Sequence, residues 1–148
     1  MFSSIVVGTD GSQTSARAVA LAGELARRFG ARLHLVNGFR DPGESGLGVG
    51  GAPAPGGVGG VGPSWWRQSS EDVLAAAAED PNLRDVDLEV HSEVGGAAQV
   101  LIGVAERVGA DLIVVGNRGM QGARQPPEAV PNVVAHAAPC HVLIAKTT

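Results

Sequence analysis

The sequence predicts an α/β protein, an open and mostly parallel sheet with helices on both faces. Three observations carry that expectation. Short β-rich apolar runs alternate with segments of helical periodicity along the whole chain. One of those runs, "ADLIVVG" ending at Gly116, is apolar over consecutive residues, as suits a strand covered on both faces. Glycine-bearing turns follow two of the strands, "GTDGS" after the first and "GNRGMQG" after the fourth. Ligands of such sheets bind beyond the carboxyl ends of the strands, so these two turns are the candidate binding turns.

Each element has its own signal. Ile5, Val6 and Val7 form a compact strand closed by the first turn. Ser12 then offers a hydroxyl to an unpaired N–H of a first helical turn. Along that helix Val19, Ala22, Gly23, Ala26 and Phe29 share one face, Arg17, Glu24, Arg27 and Arg28 face water, and Gly30 suits the stop. "ARLHLVNGF" is the second strand. Residues 41–63 hold ten glycines and four prolines without periodicity, which predicts a mobile loop, longer than a usual connection. A second helix is expected from about Ser64 to Pro81, and "DVDLEVHSEV" alternates as a third strand. Ala97, Val100, Leu101, Val104, Ala105 and Val108 recur at helical spacing up to Gly109. After the fourth strand and its turn, "EAVPNVVAHAA" reads as a last helix with Pro131 in its first turn, and "CHVLIAKTT" as the closing strand.

A chain of 148 residues accommodates one domain, 1–148, with a buried core. Hydrophobic content of 44% with 18% charged residues describes a globular chain. A net charge of −4 without a basic cluster argues against nucleic acid as a partner. No apolar segment approaches the ~20 residues that cross a bilayer, and "MFSSIVVGTDGS" lacks the basic start of a signal peptide. A single cysteine forms no internal disulfide and fits a reducing compartment. A cytoplasmic protein is expected, without membrane partners.

In the first turn Gly8 and Gly11 permit a tight reversal, and Asp10 places a carboxylate at the strand end. That carboxylate has two available roles: to accept from a ribose hydroxyl or adenine amino group, or to bond backbone N–H groups of its own turn. In the second, Gly116 and Gly119 let backbone N–H groups approach an anion, and the helix beyond adds its dipole. Neither the Walker A nor the dinucleotide fingerprint is present. Trp65 and Trp66 are read as packing under their helix and Cys140 as an inert small side chain. His34, His91, His136 and His141 are scattered without metal-ligand spacing, so no metal site is expected.

"IVVGTDGS", "VGADLIVVGNRG" and "HAAPCHVLIAK", in that order and spacing, resemble the universal stress protein family over nearly the whole chain outside the glycine-rich loop. The resemblance implies a five-stranded parallel sheet in the order 3-2-1-4-5. It also implies a stress-response regulatory or protective homodimer, commonly made by pairing last strands, for which Val142, Leu143, Ile144, Ala145 and Lys146 are the edge. By the same resemblance Thr9, Asp10 and Val36 contact the base or ribose of ATP, AMP or cyclic AMP in members that bind nucleotides.

The phosphate motif of those members is G-x2-G-x9-G-[S/T]. Gly116 and Gly119 match its first half, but nine residues on stand Ala129 and Val130, and a one-residue deletion gives Glu128 and Ala129 instead. Added side chains fill space needed by phosphate, a hydroxyl donor is lost, and Pro126, Pro127 and Pro131 carry no N–H. Glu128 brings a negative charge worth about 1 kcal/mol against a polyphosphate, or satisfies the helix N-terminus itself. Arg118 and Arg124 are read as solvated loop charges. A partial, weak or absent nucleotide site is therefore expected, with a nucleotide-binding sensor as the alternative. No catalytic residue is assigned: no H-x-G-H run occurs, and "GTDGSQTS" matches the S-G-G-x-D-S loop of related ATP-using enzymes only loosely.

Overall fold

The computed structural model describes residues 1–40, 63–118, 120 and 126–148. The expected glycine-rich loop thus lies outside the described residues apart from Pro63, which opens a helix, and Gly119 and Arg124 lie outside them altogether. Strands β1 (Ser4–Gly8), β2 (Arg32–Phe39), β3 (Leu88–Val94), β4 (Leu112–Gly116) and β5 (His141–Ala145) form one sheet. Its order is β3-β2-β1-β4-β5 and every pairing is parallel, so the expected architecture is the observed one.

Strand periodicity divides the core in two. Ile5 and Val7 of β1, Leu33 and Leu35 of β2, and Leu112 and Val114 of β4 face α1 (Gln13–Phe29) and α2 (Pro63–Ala78). Val6, Val36, Ile113 and Val115 point the other way, onto α3 (Ala97–Val108) and α4 (Val130–Ala137). Burial on both faces explains why β1 and β4 read as continuous apolar runs. Both layers converge on the carboxyl ends of β1, β2 and β4, where β1 and β4 lie side by side.

The helix ends follow local chemistry. Ser12 caps α1 by accepting from the Ser15 N–H, and Gly30 and Gly109 take left-handed conformations, each at φ 65°, after α1 and α3. Several boundaries differ from expectation for physical reasons. β3 begins at Leu88 because Asp85 turns the chain at φ 64°, a conformation aspartate tolerates better than most side chains. Pro81 opens a 3-10 turn capped by Asp80, which accepts from the Asn82 N–H. Phe29, expected on the buried face of α1, is the last residue of that helix, is 42% exposed and stacks edge-on against Phe2. Trp65 and Trp66 stack at right angles, Trp65 half exposed. Burial first, then the Asp111 carboxylate, push the Cys140 thiol up and keep it protonated.

Parallel pairing of β2 with β3 brings two of the four histidines together. Two of the histidines read as scattered are neighbours, with His34 Nδ1 3.0 Å from His91 Nε2. They are 57 residues apart in sequence, beyond any local ligand spacing.

Candidate functional site

The β1 turn is tied together by short side chains. Thr9 is buried, its N–H donates to the Val36 carbonyl at 2.9 Å, and its hydroxyl accepts from the Gly11 N–H. Gly11 sits at φ 83°, which only glycine adopts freely. The Ser15 hydroxyl donates to the Ser12 carbonyl and lies 3.2 Å from that of Thr9.

Asp10 realises the inward of its two roles. Its Oδ1 accepts from the Ser12 N–H at 2.9 Å, and Arg118 reaches over from the β4 turn to its Oδ2 at 3.3 Å. Burial raises the Asp10 pKa, but the bonds from Ser12 and Ser15 and the Arg118 charge outweigh it and hold the carboxyl below its usual value. Arg118, read as a solvated loop charge, is 69% exposed and in addition bridges the two binding turns.

Val36 is buried in the second half of β2, and the neighbouring Asn37 secures the same region. The Asn37 amide donates to the Thr9 carbonyl at 2.7 Å, Ser70 of α2 donates to Asn37 Oδ1 at 2.6 Å, and Ser92 of β3 donates to Ser70 at 2.7 Å. This relay joins β1, β2, α2 and β3, and each buried member finds its partner.

The β4 turn is held differently. Asn117 Oδ1 accepts from the N–H and hydroxyl of Thr147 and from the hydroxyl of Thr148. Thr147 is 1% exposed and its carbonyl accepts from Arg17. A Cβ on Gly116 would lie 3.0 Å from the Thr147 hydroxyl, so this glycine answers to protein packing whether or not a phosphate is bound. Beyond the turn, Ala129 caps α4 without a side-chain bond, and Pro131 stands in the first helical turn. Glu128 is exposed and makes no hydrogen bond to that helix end among the described residues.

Thr9, Asp10, Val36, Gly116 and Val130 line one cleft of about 210 Å³ between the two turns, with Leu101 of α3 also in its wall. Ala129 is not in its wall, and Gly119 is outside the described residues. The cleft also takes in Ser15, Asn37 and Thr147, which the sequence reading missed. Asn37 was findable as a polar residue late in β2, between Val36 and Gly38. Thr147 carried no signal, because its place depends on β5 lying beside β4.

The sequence profile described as "Universal stress protein family" matches residues 1–146. The chain belongs to this family. No curated protein matches it significantly. Among solved structures, a universal stress protein in complex with cAMP is 30% identical, with a TM-score of 0.67, over 99% of this chain and 98% of that one. A family member from Burkholderia pseudomallei is 26% identical, with a TM-score of 0.68, over 97% and 96% of the two chains. The universal stress protein of Archaeoglobus fulgidus in complex with dAMP, at 22% identity and a TM-score of 0.69 over 98% of both chains, shares the fold. In this universal stress protein no helix among the described residues is long and apolar enough to cross a membrane.

Proposed function

We propose that this universal stress protein is a cytoplasmic regulatory or protective homodimer, not a dedicated enzyme, whose cleft holds an adenine nucleotide weakly through the adenosine and a single phosphate. One observation carries the reading. The base-side residues Thr9, Asp10 and Val36 share a cleft with Gly116, whereas Ala129 and Val130, or Glu128 and Ala129, stand where the missing glycine and hydroxyl residue belong. A nucleotide with one phosphate depends little on that damaged end. The relative solved with cAMP, at 30% identity, supports a ligand of this size.

Calorimetry with cyclic AMP, AMP and magnesium ATP tests it. Saturable binding of cyclic AMP or AMP, weaker for ATP and weakened by Asp10→Ala, is expected. Tight magnesium-dependent capture of ATP would overturn the preference. The engagement of Asp10 by Ser12 and Arg118 favours a second reading, a cleft closed to nucleotides, for which no binding of any of the three is the expected result.

Dimerisation through β5 is supported by its place at the sheet margin, bonded to β4 on one side, with Ile144 37% exposed. Lys146 lies just past the strand. Sedimentation of the wild type as a dimer, shifted to monomer by Ile144→Asp, is expected. A dimer that survives the substitution rules out this edge.

A further inference from the structure

We propose that His34, Glu89 and His91 form a binding site for a borderline divalent transition-metal cation, with Zn²⁺ the best fit, at the β2–β3 margin of the sheet. One ligand atom from each residue lies within 4.8 Å of the others. His34 Nδ1 and His91 Nε2 are 3.0 Å apart, and the two Glu89 oxygens lie 3.8 Å from one imidazole nitrogen each. Tetrahedral zinc with bonds of about 2.0–2.1 Å sets its ligands roughly 3.3 Å apart. The observed triangle reaches that shape by sub-ångström side-chain shifts.

The register builds this cluster. Pairing of His34 with Glu89 and of Val36 with His91 sends all three side chains to the α3 face of the sheet. The His34 side chain is 4% exposed and that of His91 11%, whereas that of Glu89 is 45% exposed. Two imidazoles are thus held in a fixed frame, and the carboxylate side stays open to water, which completes the coordination. Two nitrogens and one oxygen select zinc and its neighbours over calcium or magnesium, which prefer all-oxygen shells.

Metal binding uses the neutral form of both imidazoles. The hydrogen between His34 Nδ1 and His91 Nε2 moves by tautomerisation to the outer nitrogen of its ring, which leaves two lone pairs for the metal without net proton release. Arg32 Nη1 is 3.3 Å from Glu89 Oε2 and holds the carboxylate in place. None of the three ligands lines the nucleotide cleft, so the site stands apart from the proposed nucleotide reading.

The test is titration of the chelator-treated full-length protein with zinc chloride, read by calorimetry and by ¹⁵N shifts of the histidine rings. One Zn²⁺ per chain is expected, with the His34 and His91 ring nitrogens shifting together. Glu89→Gln and His91→Gln, both at the accessible side, should each weaken binding by about ten-fold or more with unchanged circular dichroism. His141→Gln should leave it unchanged and controls for capture by Cys140 and His141. Absence of stoichiometric binding, or binding indifferent to Glu89→Gln and His91→Gln, would refute the site and leave the pair as an internal hydrogen bond.

Discussion

The two turns that face each other across the cleft are built on opposite principles. The β1 turn is closed by its own side chains: Thr9, Asp10, Ser12 and Ser15 bond one another within a few residues, and the Asn37 relay fastens the turn to the sheet. The β4 turn is closed by a distant segment, with Asn117 gripping Thr147 and Gly116 giving the space. Past it the chain offers Ala129, Val130 and Pro131 where a phosphate needs small residues and donors. A glycine motif therefore identifies a place where backbone approaches something closely. Whether that something is a ligand or another part of the chain depends on what packs there.

The largest expected effect is on the relay. Asn37→Ala leaves the buried Ser70 hydroxyl and the Thr9 carbonyl without their partner, and should cost about 1–3 kcal/mol in urea unfolding. It should also weaken any nucleotide. A loss under ~0.5 kcal/mol would show that the base-side turn stands without the relay.

Gly116→Ala comes next, at about 1–3 kcal/mol of overpacking against Thr147. Thr147→Ala in the same chain should recover part of it, since the methyl and hydroxyl in the way are removed. If the double variant is no more stable than the single one, packing on Thr147 does not explain the glycine.

Repairing the β4 side is a gain-of-function test. Ala129→Gly with Val130→Ser, or Glu128→Gly with Ala129→Ser, should raise ATP affinity about ten-fold, or ~1.4 kcal/mol, in calorimetry. No gain from either pair of substitutions would place the obstacle elsewhere, with Arg118 on Asp10 the next suspect.

The smallest effect is the bridge itself. Arg118→Ala breaks an ion pair whose side chains are 69% and 59% exposed, so stability should change by under ~0.5 kcal/mol. The Asp10 carboxyl, held below its unfolded value, contributes stability fully present above about pH 4 and lost as pH falls through its folded pKa. Acid unfolding of Asp10→Asn should lack that component. An unchanged acid limb would mean that Ser12 and Ser15 confer no charge preference.

Most of the fold was legible because it rests on periodicity. The apolar runs of β1 and β4, the α3 stripe and the capping residues Ser12, Gly30 and Gly109 each act over a few residues. The observed departures are also local in kind: the left-handed Asp85 shortened β3, and Phe29, the last residue of its helix, lay exposed. Of the residues that line the cleft, Asp10 and Gly116 were singled out from their turns, whereas Thr9 and Val36 came from the family resemblance and Val130 from counting along its phosphate motif.

The sequence by itself determined which segments become strands and helices, and that the glycine-hydroxyl half of the phosphate motif is missing. Those properties reside in neighbouring residues and their short-range chemistry. Only the tertiary structure decided that Thr147 fills the space beside Gly116, that Arg118 spans to Asp10, and that His34 meets His91. Each of these contacts joins residues 30 or more positions apart. Strand order and register, set by burial on both faces of the sheet, bring them together.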